Sequence, residues 1–261
     1  MKYGMKISEN LYRLTVPYKD IFTTVAVIRT PKGDLVFDAA SYDSDFEEYT
    51  LPFLNEVGVT QESLKYIFIS HKHGDHAGGL VELIKAFPNA CILSRSPSLR
   101  ADFEQYNVVK PEDGDIFLDV LQVVTIPGHT KDSAGVLDTR DKTLVSGDSL
   151  QLYGIFGSQP WGAAIYFMTN HFEAVAKLRT MDIENILTAH DYHPYGFWHQ
   201  GKEAVAKALD ACVEPLQRLK KLHAENPEMD NVQLAKLYNT DTTVPPVNTR
   251  VTECLINEVN Q

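Results

Sequence analysis

Residues 71–76 read HKHGDH, and this segment constrains the chain more than any other stretch of its sequence. It directly follows the compact apolar run LKYIFIS at residues 64–70, which predicts a buried strand. On an extended backbone the side chains at positions i and i+2 point to the same side, so His71 and His73 can act together. Gly74 then permits a sharp change of direction before the Asp-His pair that closes the segment. The segment therefore predicts a metal site at the end of a strand.

Three further candidate ligands each come after another β-prone run. His129 follows VVTIPG, Asp148 follows LVSG, and His190 follows NILTA. Loops at the strand ends of a layered α/β protein gather at one rim, so these residues can converge although they are distant in sequence. A lone HxH pair could arise by chance, whereas the full string with its later partners is far more specific. Imidazole and carboxylate groups in this number suit a centre of two ions about 3.5–4 Å apart, with one carboxylate bridging them.

β-prone runs and helical spacings alternate along the chain, which predicts an α/β fold. Strands are predicted at residues 10–16, 23–29, 35–39, 64–70, 90–94, 118–126, 134–138, 143–146 and 183–188, the last being the final strand. Helices are predicted at residues 43–57, 79–87, 96–106, 170–181, 202–224, 232–238 and 247–259, with Pro52 able to split the first of them. Because no linker separates the final helices, we expect a catalytic domain at residues 1–200 with a packed helical extension at residues 201–261.

The composition excludes several classes of protein. A net charge of −11, from 24 basic and 35 acidic residues, disfavours a nucleic-acid partner. No run approaches the ~20 apolar residues that a membrane span needs, and the first residues lack an apolar signal core. The cysteines Cys91, Cys212 and Cys254 are odd in number and far apart, which disfavours a disulfide framework. We therefore expect a cytoplasmic enzyme that binds neither membrane nor nucleic acid.

Five segments, taken together, resemble the metallo-β-lactamase superfamily. SHKHGDHAGGL resembles its signature, IPGHTKDSAG its segment with the third histidine, and VSGDSL its segment with the bridging aspartate. LTAHDYH resembles its final-histidine segment, and LVFDAA resembles an early strand whose aspartate, here Asp38, supports the metal loop without binding metal. The resemblance covers roughly residues 10 to 200. It implies a four-layer αββα sandwich with the metal loops along one edge, here followed by the helical extension.

The resemblance also implies a ligand set. One ion is expected on His71, His73 and His129, and the second on Asp75, His76 and His190, with Asp148 bridging the two. The family's final histidine usually stands between two glycines, whereas this chain has Ala189 and Asp191 there, so His193 stays open as an alternative to His190. Two divalent ions are expected, with zinc ahead of manganese or iron.

The function implied is that of a metal-dependent hydrolase acting on a small-molecule ester, lactone or thioester. Two ions favour a bridging hydroxide as nucleophile, and Asp75 or Asp148 is expected to orient it and relay a proton. The alternative is a mononuclear iron oxidoreductase that oxidises a thiol persulfide. His73 stands where the oxygen-reducing branch of the family has glutamate, which argues against that branch.

Substrate contacts are harder to predict. Two sets of aromatic residues either line a substrate wall or pack the C-terminal helices. They are the stretch at residues 153–167 and, after the last ligand, Tyr192, Tyr195, Phe197 and Trp198. Tyr192 is also a candidate partner for the oxyanion or the leaving group. The C-terminal helices are expected either to cap the active-site edge or to form a homodimer.

Overall fold

The computed structural model describes residues 1–19, 21–152, 154–156, 159–161, 164–192, 195–244 and 246–259. Its contacts divide the chain into two units. The first consists of Met1–Val124 and Ala134–Arg140, and the second of Thr125–Ser133 and Asp141–Gln261. These units are defined by contacts within the fold, whereas the boundary predicted at residue 200 separates a catalytic domain from a helical extension. That boundary stays a prediction.

The first unit contains a mixed sheet of seven strands in sequential order. These strands are β1 Gly4–Lys6, β2 Leu11–Tyr18, β3 Ile21–Thr30, β4 Gly33–Phe37, β5 Leu64–Ile69, β6 Cys91–Ser94 and β7 Val108–Val109. Strands β1 to β4 pair antiparallel and β4 to β7 pair parallel. Ile67, Phe68 and Ile69 at the end of β5 are all buried, as expected for a strand covered on both faces. This continuous apolar run leads the chain directly to His71.

The helices of the first unit are short. They are α1 Asp43–Asp45, α2 Leu51–Glu56, α3 Gly74–Ala77, α4 Leu80–Ala86 and α5 Pro97–Asp102. The single helix predicted at residues 43–57 is interrupted by a π-helical turn at Phe46–Thr50. Pro52 does not interrupt the helix, because it lies in the first turn of α2. The backbone N–H groups of a first turn have no partner within the helix, so the N–H that proline lacks is not needed there.

A second mixed sheet has six strands, of which three belong to the first unit and three to the second. The first unit holds β8 Ile116–Phe117, β9 Leu121–Thr125 and β10 Ala134–Asp138. Thr125, the last residue of β9, is counted with the second unit. The second unit holds β11 Thr143–Gly147, β14 Asn185–Tyr192 and β15 Gly196–Gln200, and a separate hairpin of β12 Gly154–Phe156 and β13 Gln159–Trp161. Strand β14 pairs parallel with β11 and antiparallel with β15.

Strands β14 and β15 correct the prediction that the last strand ends at residue 188. Strand β14 continues to Tyr192, and β15 was missed altogether. The alternation of apolar and polar residues that marks a strand is hidden here by His190 and Asp191, and the ladder between β14 and β15 shifts register beyond Leu187. Pairing between strands, rather than local sequence, defines this end of the sheet.

The second unit also contains a helical core. Its helices are α6 Met168–Thr180, α7 Lys202–Glu225, α8 Asn231–Tyr238 and α9 Thr249–Val259. Apolar stripes on these helices meet in one cluster that includes Met168, Leu216, Leu219, Leu234 and Leu255. Burying each such side chain stabilises the fold by roughly 1.5–3 kcal/mol. This packing is what orders the C-terminal helices.

Two mixed sheets, their helices and the C-terminal helices α7 to α9 form the α/β sandwich that the sequence predicted. The three cysteines are free thiols, as expected. Within the described part of the chain, no helix combines the length and apolar character that crossing a bilayer requires.

Candidate metal centre

The first unit brings together four of the predicted ligands, which we call the first ligand group: His71, His73, Asp75 and His76. His71 follows β5, His73 precedes α3, and the other two lie within α3. The ring centroid of His71 lies 4.5 Å from that of His73 and 4.4 Å from that of His76. His71 and His76 are buried, whereas His73 is exposed. At Gly74, where a sharp change of direction was expected, the short helix α3 begins.

Asp38 connects the two buried histidines of this group. It follows β4 with a positive φ of 62° and is 1% exposed. Its carboxylate accepts hydrogen bonds from the Ser70 backbone N–H at 2.8 Å, the Ser70 hydroxyl at 2.9 Å and Nδ1 of His76 at 2.7 Å. Since the Ser70 hydroxyl donates its proton to Asp38, it accepts from Nδ1 of His71 at 3.1 Å. Both histidines then carry the proton on Nδ1, and Nε2 is the nitrogen able to bind a metal.

Opposing effects act on the acidity of Asp38. Burial raises the pKa of its carboxyl above the ordinary value, while the contacts with His76 and Ser70 act to lower it. Three donated hydrogen bonds match an ionised carboxylate, which has only acceptor sites to offer. This is the supporting aspartate that the resemblance places beside the metal loop.

The second unit brings together the remaining predicted ligands, which we call the second ligand group: His129, Asp148 and His190. Asp148 follows β11, and its two carboxylate oxygens face two imidazoles. Oδ1 lies 3.0 Å from Nε2 of His190, and Oδ2 lies 3.7 Å from Nε2 of His129. All three side chains are buried. Two imidazole nitrogens and one carboxylate are thus close together, a donor set that can hold one ion or be shared between two.

His190 differs from the sequence-based expectation in its position. It was expected in a loop after a strand but lies within β14, where the ladder is irregular. The ring of Tyr192 contacts that of His190 edge-on, with centroids 6.3 Å apart. Tyr192 is fully buried, which favours a packing role over direct substrate contact. His193 lies outside the described residues, so the alternative that it replaces His190 stays open.

His129 is oriented by the segment that leads into α6. Its Nδ1 donates to the carbonyl oxygen of Ala164 at 2.7 Å, which directs Nε2 towards Asp148. The preceding carbonyl, that of Gly128, accepts the backbone N–H groups of Tyr166 at 3.0 Å and Phe167 at 2.9 Å. These contacts could not be predicted from the sequence, because a backbone carbonyl such as that of Ala164 leaves no signal in the residue type.

His171 packs beneath this segment. A Cβ atom added to Gly128 would lie 2.6 Å from Nδ1 of His171, so only glycine fits between them without rearrangement. Burial lowers the pKa of His171 to about 4, and His171 is therefore neutral at neutral pH. We assign it no ligand role.

The donor set fits divalent metal ions of the zinc, manganese and iron class. Within the described part of the chain, every group of side chains suited to holding a metal ion is drawn from the two ligand groups. They offer five imidazoles and two carboxylates, with no thiolate. Burial raises the pKa of the Cys212 thiol well above its usual value, which further disfavours sulfur ligation.

Comparison with known proteins agrees with these observations. The chain matches the metallo-beta-lactamase superfamily over residues 18–190. It is 31% identical to the hydroxyacylglutathione hydrolase of Francisella philomiragia over 142 residues, which are 51% of this chain and 53% of that protein. The chain thus spans about half the length of the curated relatives it matches.

Solved structures share the fold at low sequence identity. A metallo-beta-lactamase family protein from Thermus thermophilus has a TM-score of 0.65 at 16% identity, over 96% of this chain and 92% of that one. A flavo di-iron protein from Thermotoga maritima also has a TM-score of 0.65, at 15% identity, over 82% of this chain and 61% of that one. Since the family match covers well over half of the sequence and includes all seven ligand candidates, the chain belongs to the metallo-beta-lactamase superfamily.

Proposed function

We propose that this protein is a metal-dependent hydrolase that cleaves a small-molecule ester, lactone or thioester. One observation carries the proposal: the Asp148 carboxylate lies between Nε2 of His129 and Nε2 of His190, as a bridging ligand would. The seven candidate ligands also form two groups, whereas a single iron held by two histidines and one carboxylate would leave most of them unused. The relatives named hydroxyacylglutathione hydrolase support the same class of reaction.

The two ligand groups are proposed to hold two divalent ions, most simply zinc. One ion would be held by His71, His73 and His129, and the other by Asp75, His76 and His190, with Asp148 shared. When bound, such ions supply an activated water and polarise the scissile carbonyl. The Nδ1 contacts of His71, His76 and His129 fix the ring orientation and the tautomer before any metal binds.

Asp75 and Asp148 are the proposed catalytic carboxylates. Asp75 is the more accessible of the two, with 15% of its side chain exposed against 8% for Asp148. One of its oxygens lies 3.4 Å from Nε2 of His76, and its backbone carbonyl accepts the Thr23 hydroxyl at 2.6 Å. A carboxylate held in this way can orient a water and pass a proton to the leaving group.

The test combines metal analysis with a hydrolysis panel. We expect about two zinc ions per chain and hydrolysis of at least one carboxylic ester, lactone or thioester, with Asp148→Asn reducing both metal content and activity. Asp43→Asn is the matched control, since Asp43 is exposed and lies in the first turn of α1. A single iron per chain together with oxygen uptake on a thiol persulfide would overturn the hydrolase in favour of the mononuclear iron oxidoreductase.

Further expectations about this protein stay proposals. We propose a small-molecule substrate rather than a nucleic acid or a membrane surface, and a cytoplasmic location. We also propose a catalytic domain at residues 1–200 with a helical extension at residues 201–261, and a homodimer as the assembly. Size-exclusion chromatography with light scattering would test the last of these.

A further inference from the structure

Strand β3 places a hydroxyl on the face that packs against the apolar core of the first unit. Thr23, Val25 and Val27 lie on one face of the strand, because side chains alternate along it. Val25 and Val27 belong to the apolar core cluster, and so does Val16, the partner of Thr23 on β2. Thr23 is itself fully buried. A valine has nearly the same shape and would continue this face, so packing alone does not account for the hydroxyl.

The Thr23 hydroxyl bonds to the backbone of the metal loop. It donates to the carbonyl oxygen of Asp75 at 2.6 Å, which compensates for the cost of burying it. Helix α3 has only four residues, so its last carbonyl groups need partners from outside the helix. The next carbonyl, that of His76, accepts the backbone N–H of Ala39 at 2.7 Å. The carbonyl of Asp75 accepts from a side chain instead, and a substitution can remove that donor.

Two proposed ligands are carried by α3, and the contacts that hold them differ. The imidazole of His76 is held directly, through the bond of 2.7 Å between its Nδ1 and the carboxylate of Asp38. Thr23 acts on Asp75 through the backbone. One carboxylate oxygen of Asp75 lies 3.4 Å from Nε2 of His76. Because the carboxylate extends from this backbone, a change in the orientation of α3 would change that distance.

We propose that Thr23 is a positioning residue for Asp75. Its hydroxyl fixes the orientation of α3, so that the Asp75 carboxylate faces Nε2 of His76 before any metal binds. Thr23 is neither a ligand nor a substrate contact in this role. The inference concerns the ion proposed on Asp75 and His76, and not the one proposed on His71 and His73. It rests on the proposed function, in which Asp75 orients the attacking water, and it deepens that proposal.

The first test is zinc binding to the full-length protein, measured by competition with a chromophoric chelator that resolves two binding steps. Thr23→Val keeps the shape of the side chain and removes the hydroxyl. We expect one step to become about tenfold weaker and the other to stay unchanged, because only one of the proposed ions uses Asp75. Thr23→Ser keeps the hydroxyl and should bind both ions nearly as tightly as the wild type.

Amide hydrogen exchange in the metal-free protein tests the same contact without metal or substrate. The backbone N–H of Ala77 bonds to the carbonyl of His73 at 3.0 Å and closes α3. We expect this amide to exchange about tenfold faster in Thr23→Val, because α3 opens more often once the Asp75 carbonyl has lost its donor. Thr23→Ser should keep the wild-type rate.

Steady-state kinetics adds a third measurement, on whichever substrate the hydrolysis panel identifies. We expect kcat to fall about tenfold in Thr23→Val while KM stays unchanged, because Asp75 is proposed to orient water rather than to bind substrate. A loss of stability alone would not separate kcat from KM in this way.

Thr30→Val is the matched control. Thr30 lies at the opposite end of β3, about 23 Å along the strand from Thr23. Its hydroxyl also donates to a backbone carbonyl, that of Gly33, at 2.8 Å. We expect this variant to keep the wild-type zinc affinities, exchange rate and kcat.

Three results would overturn the inference: wild-type zinc binding and exchange in Thr23→Val, equal weakening of both zinc steps, or the same losses in Thr23→Ser. If Thr23→Val does not fold, Thr23→Cys replaces it, since a thiol is a much weaker donor than a hydroxyl. Zinc binding and amide exchange do not depend on hydrolysis. A protein that binds zinc but hydrolyses nothing would overturn the proposed function, and these two measurements would still decide the role of Thr23.

Discussion

At the scale of single residues, Asp38 shows how one side chain can organise a site without entering it. Its carboxylate accepts hydrogen bonds from Ser70 and His76, and through the Ser70 hydroxyl it also determines which nitrogen of His71 carries the proton. A ligand histidine depends on such a partner for its tautomer and its ring orientation. The identity of the ligands is therefore only part of what makes the site.

Asp38→Asn should weaken metal binding without removing a ligand. An asparagine side chain has one accepting oxygen where the carboxylate has two. Its NH₂ group would face a donor, and the side chain carries no charge. We expect metal affinity to fall by about 10- to 100-fold, measured by competition with a chromophoric chelator. The surface substitution Asp43→Asn is the control, and equal affinities in the two variants would show that Asp38 has no supporting role.

Two glycines of the metal loop should respond very differently to alanine. A Cβ atom at Gly78 would lie 1.8 Å from the backbone oxygen of Ser41, whereas a Cβ atom at Gly74 meets nothing within 4 Å. Backbone cannot move aside as a flexible side chain can. We expect Gly78→Ala to lower the free energy of unfolding by about 3 kcal/mol or more and Gly74→Ala to change it by less than about 0.5 kcal/mol.

Urea denaturation in the presence of a chelator measures both variants without a contribution from bound metal. If the two variants unfold at the same urea concentration, the close approach of Gly78 to Ser41 is wrong.

At the scale of elements, helix α9 is connected by hydrogen bonds to the segment that orients His129. Glu258 on α9 caps α6, and the residues just before α6 hold the Gly128 carbonyl and Nδ1 of His129. This series of hydrogen bonds lies within the second unit and runs from the C-terminal helix to a proposed ligand. It gives the C-terminal helices a role beyond packing.

Glu258→Gln should therefore act on stability and on metal binding together. The amide loses the negative charge that complements the start of α6, and we expect a loss of about 1 kcal/mol in the free energy of unfolding. With His129 less well held, we also expect weaker metal binding and an altered visible absorption spectrum of the Co²⁺-substituted protein. Glu253→Gln, at an exposed position of the same helix, is the control. A spectrum and an affinity that match the wild type would exclude this role of α9.

At the scale of the whole molecule, His171 should make stability depend on pH. Its pKa is about 4 in the folded protein and is expected near 6.5 when unfolded, so the unfolded chain takes up the proton first. The free energy of unfolding should therefore fall as the pH drops from about 6.5 to about 4, by up to about 3 kcal/mol, and should show no further effect of His171 below that range.

His171→Gln removes this titration while keeping a polar side chain of similar size. We expect a flatter pH dependence in the variant, measured by denaturant unfolding with a chelator present, so that metal release does not contribute. Parallel curves for the variant and the wild type would mean that His171 does not resist protonation in the folded state.

Most elements near the site could be predicted because they depend on local pattern. The apolar run of β5 and the helical spacing of α4 and α7 agree with the structure to within one or two residues. Three features were not predicted from the sequence, and the reason is the same for all of them. They are the strand β15, the extension of β14 through His190 and the interrupted helix after β4. Each is defined by partners distant in sequence or by local packing, and neither leaves a periodic signal.

The sequence by itself determined which residues can bind metal, since imidazole and carboxylate chemistry is a property of residue type and the HKHGDH segment has the spacing to use it. Only the tertiary structure decided how those residues are held. Asp38 pairs with His76, the Ala164 carbonyl accepts from His129, and Asp148 lies between two histidines. These contacts join positions 19 to 42 residues apart. Contacts at such separations form only when the chain has folded, because nothing in local sequence specifies which distant backbone or side chain will arrive there.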